Sequence, residues 1–165
     1  MSFHGNKQEI ITPLKALQKA QKFCAYSERS HFDVKLKLKE WQIDQASSDW
    51  VISELIQGNF LNEERFAYSY CRGKLNQNKW GKYKIKQGLR QKQISDFLIK
   101  KALEQISDEV YFQIMEDEVL KYTKGKNINN RTDFQKTIHY LNQKGFESEF
   151  VIDILKKIKN TKDGL

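Results

Sequence analysis

Proline is almost missing from this sequence of 165 residues, occurring once, and glycine occurs only 8 times. Sheet-rich folds turn often and tightly, and their turns draw on those two residues. Their scarcity, beside abundant Lys, Leu, Gln, Glu and Ile, points to helices joined by short loops. No apolar run is long enough to cross a bilayer, and no charged-then-apolar signal segment opens the chain. Cysteine is sparse too. Cys24 and Cys71 make no secreted disulfide framework, and both fall inside helical patterns, where a buried reduced thiol is expected. A cytoplasmic protein without membrane contact is the expectation.

Signatures of catalysis are also missing. His4, His31 and His139 are too widely spaced to pair as metal ligands. There is no Walker loop, no dinucleotide fingerprint and no G-x-S-x-G elbow. The chain reads as a non-enzyme, with no catalytic residue, cofactor or metal site expected.

What the sequence does have is charge of one sign in one place. The net charge is +8, and residues 72–101 alone hold ten basic side chains against a single acid, Asp96. The rest of the chain is nearly balanced, with 19 basic and 20 acidic residues. A block this lopsided repels itself unless something anionic sits on it.

A second positive feature is repetition. Leu38 is followed five residues on by Ile43, Leu89 by Ile94, and Leu141 by Phe146. After each comes an apolar set at helical spacing: Val51-Ile52 with Leu55-Ile56, Leu98-Ile99 with Ala102-Leu103, and Phe150-Val151 with Ile154-Leu155. Another helical stretch precedes each leucine, so each unit reads as three helices. These are predicted near 13–26, 31–41 and 46–57, then 63–76, 80–91 and 95–105, then 108–123, 132–143 and 148–158. Thr12-Pro13, Ser30 with Asp33, Thr132 with Gln135, Ser95 and Ser107 offer helix starts. Gly58 and Gly145 offer left-handed stops. The expected organisation is a flexible N-terminus (1–12), three-helix repeats at 13–58, 59–106 and 107–159, and a flexible tail (160–165). Units of about fifty residues bury little core alone and gain by stacking. The fold class is therefore all-α: three tandem three-helix repeats in a curved, elongated, right-handed or solenoid-like array. One helical bundle with accidental self-similarity is the alternative.

The basic block falls on the helix predicted at 80–91. At 100° per residue, Gly81, Ile85, Gly88, Leu89 and Lys92 share one side, and Lys79, Lys82, Tyr83, Lys86 and Arg90 an adjoining arc, with Lys84 further round. Glycines on the packing side lower helix propensity, which suggests that another helix approaches closely there. The arc suits a phosphate backbone or an acidic groove. Trp80 and Tyr83, expected on this helix, and Tyr68 and Tyr70 on the helix before it, are candidates for stacking on unpaired bases or for packing between helices. Phe66 and Ala67 read as core. Arg72 is open between a surface ion pair and the basic patch. The candidate nucleic-acid or filament-binding set is Arg72, Lys74, Lys79, Lys82, Tyr83, Lys84, Lys86, Arg90 and Lys92.

Arg65-Phe66-Ala67, then Arg72, Gly81, Ile85, Leu89, Lys92 and Ile94 resemble the signature of RecX regulatory proteins, as do Ser30, Asp33, Val34, Lys37 and Leu38 in the first unit. Spacing and order agree over about residues 14–158. Gln93 departs from the family pattern, which has glycine there, so a different helix stop is expected; 45–49 and 124–131 depart as well. The resemblance implies three tandem three-helix repeats that bind a RecA-type recombinase filament along its groove; the basic ridge adds contact with single- or double-stranded DNA, and a monomer is expected. It also implies limits on recombination, ATP hydrolysis and coprotease activity. A general DNA-binding protein with no recombinase partner, and a helical-repeat protein–protein adaptor whose lysines only confer solubility, are the rival readings.

Overall fold

The computed structural model describes residues 11–163. Among them are nine α-helices and no strand. The first triplet is α1 (Pro13–Tyr26), α2 (His31–Glu40) and α3 (Gln45–Gln57). The second is α4 (Glu63–Asn76), α5 (Lys82–Gln91) and α6 (Asp96–Glu104), and the third is α7 (Asp108–Thr123), α8 (Arg131–Gln143) and α9 (Ser148–Asp163). The predicted helices agree to within about two residues, with one exception. Helix α9 runs through 160–163, where a flexible tail is predicted, because nothing in that segment interrupts it and Thr161 Oγ1 donates to Lys157 O at 2.9 Å. Of the N-terminal segment expected to be flexible, residues 1–10 lie outside the described residues.

Local chemistry explains most of the starts. Thr12 accepts from Lys15 N with Pro13 opening α1, and Ser30 and Asp33 form a complete reciprocal capping box. Ser95 accepts from Leu98 N. Two starts differ from the expectation. Asn130, not Thr132, caps α8, accepting from Thr132 N, because the helix begins one turn position earlier. Ser107 occupies the cap position of α7 without a side-chain bond.

The middle helix of every triplet ends alike. The N–H groups of Ile43, Ile94 and Phe146 donate back to Leu38 O, Leu89 O and Leu141 O at 3.0, 3.1 and 3.0 Å. The residue before each acceptor's partner is left-handed: Gln42 (φ 59°), Gln93 (φ 59°) and Gly145 (φ 91°). Gln93 therefore uses the same stop as its counterparts, contrary to the expectation of a different one, at the steric expense of a Cβ in that region. At the end of α3 the left-handed residue is Asn59 (φ 58°), whereas Gly58 has φ −77°.

The described chain forms two compact units, dividing between Glu63 and Glu64. The first closes α1–α3 around Ala16, Leu17, Val34, Leu38, Val51 and Leu55. In the second, α4–α9 share one continuous core that includes Phe66, Ile85, Leu89, Met115, Leu141, Phe146 and Leu155. The leucines that define the repeat pattern, Leu38, Leu89 and Leu141, are fully enclosed, whereas some of its flanking apolar positions are only half-buried and Ile56 is exposed.

Candidate nucleic-acid interface

Helix α5 is held at its N-terminus by the turn between α8 and α9. Gly81 N donates to Lys144 O (2.7 Å), Lys82 N to the Tyr111 hydroxyl (3.0 Å) and Tyr83 N to Gly145 O (3.1 Å), so three free donors of this helix start are taken up inside the protein. Tyr111 in turn donates to Glu147 at 2.6 Å, and burial together with that carboxylate pushes its phenol well above the usual range. A Cβ at Gly81 would collide with the Gly145 backbone, and one at Gly145 with Lys84. The glycines on the packing side thus do mark close approaches, but not both to a helix: Gly81 meets a turn, and Gly88 meets the Tyr70 ring of α4. Buried Glu118 of α7 pairs with Lys144 and steadies the same turn.

With its start anchored, α5 directs Lys82, Lys86 and Arg90, at i, i+4 and i+8, along one wall of an open groove of about 820 Å³. The opposite wall is α6 and the start of α7, bringing Asp96, Lys100, Glu104 and Asp108, over a floor that includes Ile99, Leu103 and Ile106. The cationic row is about 12 Å long from the helical rise. Its ends carry internal partners: Lys82 Nζ lies 3.3 Å from Asp108 and Arg90 contacts Asp96 at 3.0 Å. Lys86, between them, has no carboxylate partner among the described residues. Tyr83 stands beside the row and is 66% exposed, while Phe97 on the first turn of α6 is 73% exposed.

The remaining candidates separate from this row. Trp80 lies before α5 rather than on it, half-buried, with Lys74 and Lys84 each 4.7 Å from its ring; Lys84 also donates to Gln143 O at 3.3 Å. Trp80 is thus engaged in packing. Lys79 occupies the left-handed turn ahead of the helix (φ 55°) instead of its arc. Arg72 is on α4 and borders a different concavity, lined by Tyr68, Cys71, Leu75, Ile106 and Val110 among others. Lys92 is the half-buried C-cap of α5. Tyr68 donates to Glu64, whose carboxylate is drawn down by Lys101 and by that hydroxyl. Sequence reasoning missed Lys100, Asp108 and Glu104 as neighbours of the row. Only their helical phase relative to α5 brings them there, and no motif signals it. Among the described residues no cluster of three or more His, Cys, Asp or Glu could hold a metal ion, and no helix is long and apolar enough to cross a membrane.

An all-helical protein built of three-helix repeats, with its positive excess on the central triplet, is the class these features define. Residues 62–103 match the family described as RecX, second three-helix domain. The chain is similar to the regulatory protein RecX of Lactobacillus gasseri, 29% identical over 150 residues, which cover 90% of this chain and 55% of the relative. It is 28% identical to that of Clostridioides difficile over 148 residues, 89% of this chain and 69% of the relative. A crystal structure of regulatory protein RecX superposes with a TM-score of 0.76 at 28% identity, covering 88% of this chain and 71% of that one. RecX from Lactobacillus salivarius, at 23% identity and a TM-score of 0.77 over 89% and 96% of the two chains, shares the fold. Over most of its length the chain is thus similar to proteins of the RecX family, and its second triplet matches that family's second three-helix domain. It spans little more than half the length of the Bacillus mycoides and L. gasseri relatives it matches.

Proposed function

We propose that this protein is a regulator that binds RecA-type recombinase filaments and their DNA and restrains recombinase, ATPase and coprotease activity. The family's named members are regulatory proteins. The observation that carries the reading for this chain is the row Lys82, Lys86 and Arg90 on one wall of an open groove, anchored by the hydrogen-bonded start of α5. A row of cations on an anchored helix meets a phosphate backbone or an acidic protein surface without ordering of the main chain. Lys74, Lys79, Lys84 and Lys92 add to the field around it without sharing the row, and Tyr83 offers an exposed ring for an unpaired base.

The test is recombinase strand exchange and DNA-stimulated ATP hydrolysis with substoichiometric amounts of the protein, against the triple variant K82E/K86E/R90E. Inhibition by the native chain and its loss in a variant of unchanged helicity support the reading. Equal inhibition by both removes these residues from the interface. Equal DNA binding with and without filaments, and no effect on the recombinase, would make the chain a general DNA-binding protein.

A further inference from the structure

We propose that Asp96 and Asp108 act as internal competitors for the phosphates of DNA, shielding the ends of the cationic row so that only a dense polyanion displaces them. The inference rests on the reading above that this row meets DNA, and it assigns the regulation of that contact to two acids.

Four observations carry it. Asp108 and Asp96 reach the two end cations, Lys82 and Arg90, at 3.3 and 3.0 Å, whereas the central Lys86 is open. Both carboxylates are highly exposed, 79% and 72%, so the pairs are weak and water can take over the released acid. Each acid is the first residue of its helix, α7 and α6, where the helix dipole favours a negative charge. Both acids line the same groove as the row, so they remain beside it when a phosphate takes the cation, and repel that phosphate. A ligand that brings one isolated negative charge gains Lys86 alone. A phosphate backbone, with successive charges along the row, gains all three cations and outweighs both internal partners.

The device has a thermodynamic signature. A phosphate neutralised by a protein cation releases a counterion, which makes affinity fall with salt. A carboxylate set free in the same step attracts a counterion in turn, so an ion-paired Lys or Arg contributes little net release. The native protein therefore has a shallower salt dependence than three contacts imply, with Lys86 contributing most of it.

The experiment is fluorescence anisotropy of a labelled DNA oligonucleotide against the full chain, without filaments, over a salt series, for the native protein, D96N/D108N, each single variant and K82E/K86E/R90E. The double variant should bind about three- to thirtyfold more tightly at low salt, from two surface pairs of ordinary strength. Its slope of log affinity on log salt should steepen by about two, from two further net counterions. Each single variant should show roughly half of both changes, which keeps the test open if the double variant folds poorly. Unchanged or weaker binding by the Asn variants, with binding still lost in K82E/K86E/R90E, would overturn the inference and leave the interface standing. Native-like binding by the triple variant would remove the interface itself. Tighter filament binding by D96N/D108N with unaltered DNA binding would also overturn it, because the cations would then serve an acidic protein segment.

Discussion

Replacing Gly81 by alanine should unseat the cationic helix from its anchor. The added Cβ has no room: it meets the carbonyl carbon and oxygen of Gly145 and the amide of Phe146, which are backbone atoms and cannot swing aside as a side chain would. The turn must retreat. With it go the bonds from Gly81 N to Lys144 O at 2.7 Å and from Tyr83 N to Gly145 O at 3.1 Å. Each is worth about 1 kcal/mol net. Alanine is also a poorer helix cap than glycine, and Phe146, fully buried next to the turn, loses part of its packing. The sum is about 3 kcal/mol. For a unit of roughly 100 residues that lowers Tm by about 10–20 °C. Thermal unfolding followed by circular dichroism measures it. A double-mutant cycle with Gly145→Ala gives a sharper check: both glycines serve one contact, so the double variant should fall well short of the sum of the two singles. A Tm within about 3 °C of native for Gly81→Ala, or full additivity in the cycle, would refute the account of this junction.

Two further outcomes follow from the backbone and the core. Gln93→Gly should raise stability by about 0.5–1 kcal/mol, because Gln93 holds a left-handed φ of 59°, while Gln87→Gly inside α5 should lower it by about 1 kcal/mol; denaturant melts of the two variants compare them directly. The Cys71 thiol, pushed up to about 12 by burial, should resist alkylation at pH 8 in the native protein and react once it is unfolded, as mass spectrometry of labelled peptides would record. The same shift has a sign: the folded state favours the protonated thiol, so the stability it contributes is fully present below pH 9 and is lost as pH rises from there towards 12, and Cys71→Ala should remove that share of the alkaline loss while leaving the share of the buried Tyr111 phenol.

The helices, their triplet grouping and the buried leucines were legible in the order of residues. Each follows from short-range rules: apolar spacing at 3.6 residues, a capping side chain three residues from its partner, scarce proline. The recurrence of Leu38, Leu89 and Leu141 was enough to align the three triplets, and the stop after each obeys one hydrogen-bond pattern even where glutamine replaces glycine. The local rules failed at edges where two options compete, as at Asn130 and Thr132, or where a helix begins two residues late and leaves Trp80 and Lys79 outside it.

The sequence alone settled that thirty residues carry the whole positive excess, because charge is a property of composition. Which of those charges stand in one row was decided only by tertiary structure. Seating α5 on the Gly145 turn fixes its rotation, and that rotation sends Lys82, Lys86 and Arg90 into the groove while Lys84 turns to Trp80. The acids beside the row come from the starts of two later helices, Asp96 and Asp108, and a Coulomb interaction depends on distance in space, which chain order does not give.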